Sequence, residues 1–381
     1  MRTSLWCLIV IALLLMIAGA SAAGAGEKWV RATPSAGFPD RAGDAGLVYN
    51  GSMWIIGGSA DGGQTVLNDT WYSSDGVRWT EATPAAEFPA RYEFSALVFD
   101  GKMWVIGGSN GQSPMNDVWY STDGVHWTKA KPSPRFIARL AFATVAYDNR
   151  MWVIGGYDGL FPWSDVWSSP DGTNWTMVNE SAAFGDRSGL SAAVYGNKIW
   201  VIGGSRGHTS YNDVWYSTDG NQWTCATAAA EFAPRAGQVS PVYDNRLWVI
   251  GGTGPDRAMN DTWYSTDGAR WTEATASAAF PARFDFPGLV YDNRMWVIGG
   301  AADAQATVGN DIWYSSSDTG SPPLGAACDP ATQSCGSSVW PWVLPAVVIV
   351  AAIAVFFFLQ KRRNVPAKRP GGGKKDRKKK R

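Results

Sequence analysis

MWIIGG at residues 53–58 returns as MWVIGG at 103–108 and 151–156, IWVIGG at 199–204, LWVIGG at 247–252 and MWVIGG at 295–300. The first glycines, Gly57, Gly107, Gly155, Gly203, Gly251 and Gly299, are separated by 50, 48, 48, 48 and 48 residues. Self-similarity at this period marks a repeat architecture. Outward from that glycine, other residues keep fixed offsets. Three before it stand Trp54, Trp104, Trp152, Trp200, Trp248 and Trp296, and twenty-eight before it Trp29, Trp79, Trp127, Trp175, Trp223 and Trp271. Sixteen before it stand Arg41, Arg91, Arg139, Arg187, Arg235 and Arg283. After a loop of variable length comes Trp71, Trp119, Trp167, Trp215, Trp263 or Trp313, usually in the frame NDxWYSxDG.

Each unit reads as four strands. AGLVYN leads through an Asn-Gly turn into MWIIGG, and NDTWYSS through an Asp-Gly turn into RWTEAT. Both dipeptides between β-rich runs are hairpin signals. A four-stranded unit of this size cannot bury both of its faces alone, so six of them predict an all-β, six-bladed β-propeller of antiparallel blades over residues 27–318. The eighteen register-locked tryptophans fit blade-to-blade packing better than sugar contact, because they recur in every blade. Each buries roughly 150–250 Å², or very roughly 4–6 kcal/mol of gross hydrophobic stabilisation.

The Gly-Gly pair ending the second strand, the Arg before the first and the aromatics of the third and fourth resemble the kelch family. The third-strand aromatics sit closer to the fourth-strand Trp than in many kelch repeats. STDGxxW is also similar to the Asp-box of sialidase-type propellers, at a different spacing.

Residues 27–33, EKWVRAT, align with RWTEAT, HWTKAK and QWTCAT, the fourth strands of later units. The last unit stops after NDIWYSSSD without a fourth strand. The two deficits predict that 27–33 completes blade 6 and closes the ring.

In such blades the two hairpin turns share one face, and the loop after strand two shares the other with the linkers. The second face carries the variable loops SADGGQTVL, SNGQSPM, YDGLFPW, SRGHTSY, TGPDRAM and AADAQATVG. Loops that differ on a repeated scaffold are where specificity is expected. By resemblance to partner-binding kelch domains, whose equivalent arginines contact acidic ligands, Arg41, Arg91, Arg139, Arg187, Arg235 and Arg283 are candidate ligand-binding residues. An Arg at one register in all six blades also fits a structural clamp on linker carbonyls or carboxylates. Following the arginines, Asp44, Glu93 and Asp285 fall in the adjacent blades 1, 2 and 6, while blades 3 to 5 place mostly apolar residues there, near Phe142 and Leu190.

The ends are not globular. Residues 1–22, with the apolar run LWCLIVIALLLMIAGA and the small residues Ala20, Ser21 and Ala22, read as a secretory signal peptide. Residues 339–360, VWPWVLPAVVIVAAIAVFFFLQ, carry no charge and predict a transmembrane helix. A stalk over 319–338 precedes it. The tail, 361–381, holds twelve Lys or Arg against one Asp. The positive-inside rule makes that tail cytoplasmic and the propeller extracellular at the cell membrane. Although the net charge is zero, residues 27–338 hold 20 basic and 32 acidic residues, which argues against nucleic acid as a partner. Cys328 and Cys335 would close a disulfide beside the membrane, and Cys225 is left without a mate.

The two histidines, His126 and His208, assemble no metal site, and no nucleophile, Walker or dinucleotide motif is present, so no cofactor or metal is expected. The expected function is recognition of a surface protein or a glycan, without catalysis. The alternative is a carbohydrate-active enzyme like the sialidases or the kelch-type sialic acid mutarotase, in which Arg grips a sugar carboxylate and Glu93 or Asp285 moves protons.

Overall fold

The computed structural model describes residues 26–61, 64–131, 134–302 and 308–316. The signal peptide, stalk, transmembrane helix, tail and Cys328–Cys335 pair expected from the sequence lie outside them. Among the described residues no helix is long and apolar enough to cross a membrane.

Six four-stranded antiparallel sheets make the blades. Blade 1 runs Ala45–Tyr49, Ser52–Ala60, Thr65–Ser73 and Thr80–Thr83 in spatial as in chain order. Blades 2 to 5 repeat this order. Blade 6 is composite: Gly288–Tyr291, Arg294–Ala301 and Val308–Ser316 are followed by the first described strand, Lys28–Thr33. Lys28 pairs with Ser316 and Trp29 with Ser315. The first described strand thus hydrogen-bonds the last and closes the ring.

The hydrophobic core lies between blades. One cluster joins Leu47, Trp54 and Ile56 of blade 1 to Phe94, Met103, Val105 and Trp127 of blade 2. The repeating Trp of the second strand reaches the next blade, where a glycine makes room for it. A β-carbon at Gly124 would overlap the ring of Trp54, and one at Gly76 the ring of Trp296. The linker phenylalanines are buried with them; Phe88 meets the Trp127 ring edge-on at 5.1 Å.

The first hairpin follows its sequence: Asn50 and Gly51 have φ of 47° and 70°. Two positive φ values match a turn whose twist suits the flanking strands. The second hairpin departs from the expected two-residue Asp-Gly turn, because six residues separate Ser73 from Thr80. Here Ser73 Oγ accepts from the N–H groups of Asp75 and Gly76, and Asp75 Oδ1 accepts from those of Val77 and Arg78. Ser and Asp side chains thereby satisfy backbone donors that a tight turn would have paired across the strands. Asn68 and Asn260, each opening an Asn-Asp-Thr sequence of the N-glycosylation type, have a structural role as well. Asn68 Nδ2 donates to the carbonyls of Ala86 and Phe88, and Asn260 Nδ2 to those of Ala278 and Phe280. Cys225 is exposed and unbridged.

Candidate functional site: the axial cavity and the loop face

The six arginines arrive on linkers such as PAAEFPAR, and their guanidiniums turn into the ring wall. Arg41, fully buried, donates from Nη1 to the Gly57 carbonyl at 2.8 Å, and from Nη1 and Nη2 to Asp69 Oδ1 and Oδ2 at 2.8 and 2.7 Å. Its Nε donates to the Pro39 carbonyl at 3.1 Å. The same two-pronged pairing joins Arg91 to Asp117, Arg139 to Asp165, Arg187 to Asp213, Arg235 to Asp261 and Arg283 to Asp311. Each Asp also accepts from the third-strand Trp, as Trp71 Nε1 reaches Asp69 Oδ2 at 2.7 Å. Burial works to raise the Asp117, Asp261 and Asp311 carboxyls, yet hydrogen bonds from Arg and Trp hold them below the ordinary carboxylate range. The structure therefore places the expected ligand-binding arginines as clamps, and none of the six lines the axial cavity. Their partners were readable in principle: the Asp of the NDxW frame follows each Arg by 28 or 26 residues.

Two residues beyond each Arg, the chain forms a cycle of backbone hydrogen bonds around the axis. The N–H of Glu93 donates to the carbonyl of Gly43, Ala141 to Glu93, Gly189 to Ala141, Gly237 to Gly189, Asp285 to Gly237, and Gly43 to Asp285, over 2.7–2.9 Å. All six residues lie in the left-handed region, with φ between 48° and 65°.

Around this cycle lies a cavity of about 290 Å³. Asp44, Glu93 and Asp285, expected from sequence to share one side of the mouth, all line it, and Phe142 and Leu190 line the side of blades 3 and 4. Blade 5 departs from the apolar expectation, because Gln238 occupies the position equivalent to Asp44. A polar residue in a single blade gives no repeat signal; only direct alignment of RAGQ with RAGD exposes it.

The carboxyls sit in unusual surroundings. Asp44 is 8% exposed and neither carboxylate oxygen has a hydrogen-bond partner. Burial pushes its pKa up to about 7 against the pull of the Arg41 charge. Glu93 and Asp285 remain partly open to the channel but are surrounded by protein, which raises both, and the Asp285 charge raises Glu93 further.

On the loop face, the blade-3 loop carries the most exposed large apolar side chains among the described residues, Leu160 and Phe161, at 76% and 65%. Their backbone is held in place: Asp158 Oδ1 accepts from both of their N–H groups, and the Asp158 N–H donates to the Phe161 carbonyl. The sequence shows this loop as variable but gives no sign that its apolar tip faces solvent.

The family model described as the KLHDC2/KLHL20/DRC7 Kelch-repeats domain matches residues 25–186 and 171–321. The chain belongs to the kelch-repeat family, whose propellers are protein-interaction modules. Among solved structures it is similar to that of YjhT, at a TM-score of 0.63 and 17% identity over 76% of this chain and 98% of that one. That likeness establishes the fold alone. No curated protein matches the chain by sequence.

Proposed function

We propose that this chain is a single-pass cell-surface protein whose kelch propeller faces outward and binds a partner protein through its loop face. The observation that carries the reading is the ordered exposure of Leu160 and Phe161. Large apolar side chains presented to solvent on a hydrogen-bonded loop are the kind of anchor that dominates protein interfaces, and a preformed loop loses little entropy on binding. The sialidase- or mutarotase-type reading is weakened by the clamps, because the arginines that would grip a sugar carboxylate are engaged by Asp partners. Binding of the full chain to a panel of surface proteins and glycans tests the proposal. The double variant Leu160→Ser, Phe161→Ser is expected to lose protein binding while unfolding at the same midpoint. Retained binding, or signal on glycans alone, overturns it. The membrane topology is checked separately by antibody access to epitopes at Glu27 and at the C-terminus on intact cells.

A further inference from the structure

One position in the repeat is a cation in five blades and a serine in the other. Five residues before the repeating glycine stand Lys102, Arg150, Lys198, Arg246 and Arg294, but blade 1 has Ser52. The third-strand Trp is followed by Tyr72, Tyr120, Tyr216, Tyr264 and Tyr314, with Ser168 in blade 3. Blades 2, 4, 5 and 6 therefore carry both partners, and in each of them the two meet. Lys102 Nζ and Lys198 Nζ lie 5.4 and 4.0 Å from the ring centres of Tyr120 and Tyr216. The guanidinium carbons of Arg246 and Arg294 lie 4.6 and 4.9 Å from those of Tyr264 and Tyr314. A cation at such distances is attracted by the negative face of the ring.

Blade 1 keeps the rings without a cation of its own. Trp54 and Tyr72 pack at 5.1 Å, as the Trp–Tyr pairs of the four complete blades do at 5.1–5.3 Å. Tyr72, at 36%, is the exposed member of the five tyrosines. Because Ser52 is too short to cross them, the rings of blade 1 open into a cleft of about 380 Å³ against blade 2, beside the Asn50-Gly51 turn. No Lys, Arg or His lines it.

Asn50 stands where Asp100, Asp244 and Asp292 pair with the cations of blades 2, 5 and 6. That aspartate is not needed to seat a cation on the rings, since blade 4 has Gly196 there and still lays Lys198 over Tyr216. Blade 2 supplies an acidic residue to the cleft in Asp123, whose half-exposed side chain also meets His126 Nδ1 at 2.9 Å. What fits the cleft is what the sister blades place on the same rings: a positive charge at the end of a hydrocarbon stem.

We infer that this cleft receives the Arg or Lys side chain of a partner protein, its cation laid over Tyr72 and Trp54 as blades 2, 4, 5 and 6 lay their own. The contact is separate from the loop face, and it joins residue types that dominate protein interfaces.

Titration of the carbon-13-labelled full chain with acetyl-Gly-Gly-Arg-Gly-Gly-amide, with its Lys and Gln counterparts and with agmatine, read on the Trp54 ring resonances, tests this. The Arg and Lys peptides are expected to bind at least about fivefold more tightly than the Gln peptide. Two variants give blade 1 a residue that another blade already carries at the same position. Tyr72→Ser removes the exposed ring, and Ser52→Lys lays an internal cation on it. Each is expected to weaken binding of the Arg peptide at least about fivefold. Equal binding of the Gln and Arg peptides, no binding of either cationic peptide, or unchanged affinity in Ser52→Lys overturns the inference. Agmatine binding more tightly than both cationic peptides overturns the assignment to a partner's side chain.

Discussion

Arg139 and Asp165 meet in a two-pronged ion pair, Nη1 to Oδ1 at 2.5 Å and Nη2 to Oδ2 at 2.9 Å, inside the ring wall. Both side chains are almost wholly shielded from solvent. The remaining Nη1 donor reaches the Gly155 carbonyl, and Trp167 Nε1 donates to Asp165. Strand, linker and third-strand aromatic are thereby tied at one carboxylate. Removing the cation leaves a buried charge with no counterion, so Arg139→Ala is expected to destabilise the propeller by about 3–5 kcal/mol, measured by chemical denaturation. Arg139→Lys keeps the charge and loses the fork, and falls between the two. An Arg139→Ala variant with native stability would show that the clamp is not structural.

Ala141 takes part in the axial cycle with φ of 52°, where a β-carbon is crowded. Three of its five companions there are glycines. Ala141→Gly is expected to stabilise the fold by about 0.5–1 kcal/mol, the relief of strain exceeding the added freedom of the unfolded chain. The same substitution at Ala143, in an ordinary strand nearby, lowers stability. Paired denaturation curves decide between them.

Asp44 gives the stability a pH dependence whose sign is fixed by its environment. Its folded pKa, about 7, lies above the ordinary aspartate value of 3.8. Its contribution is therefore fully present below pH 3.8 and is lost as pH rises through about 7. Asp117, Asp261 and Asp311, held low by their clamps, act oppositely and lose their contribution as pH falls through their folded values. Stability peaks between the two windows. At pH 8, Asp44→Asn is expected to exceed the parent by on the order of 2 kcal/mol, and at pH 5 by much less. Thermal unfolding at the two pH values measures the difference.

Trp29 anchors the closing strand. It is buried, its ring meets Phe280 at 5.0 Å, and its Nε1 donates to the Gly26 carbonyl. Trp29→Ala is expected to cost about 3–5 kcal/mol. Deleting residues 27–33 costs more, because the outer edge of Val308–Ser316 is left without a partner. Limited proteolysis of blade 6 should rise in parallel.

What the sequence displayed and what it hid follow from the repetition itself. Trp54, Gly57 and Arg41 each solve a packing problem that recurs in every blade, so period alone locates them and the ring they build. The likeness of EKWVRAT to RWTEAT does the same for the closing strand. Repetition also conceals. An Arg found in six copies looks like a ring of binding groups until its Asp, at a fixed distance along the chain, is seen to hold it. The Asp-Gly loops looked like two-residue turns because the capping by Ser73 and Asp75 is made by side chains. Gln238, Leu160 and Phe161 each occur once at their positions. Their meaning lies in burial or exposure, which only the assembled ring decides.

The closing strand also sets how the molecule would answer to force. Lys28 lies opposite Ser316, so the chain's two described ends leave the same pair of antiparallel strands side by side. Tension between them would open hydrogen bonds one after another from that end, rather than load them all at once in shear. Blade 6 is thus the tear line of the ring, and the buried Trp29 is the first large side chain at which such a tear would stall.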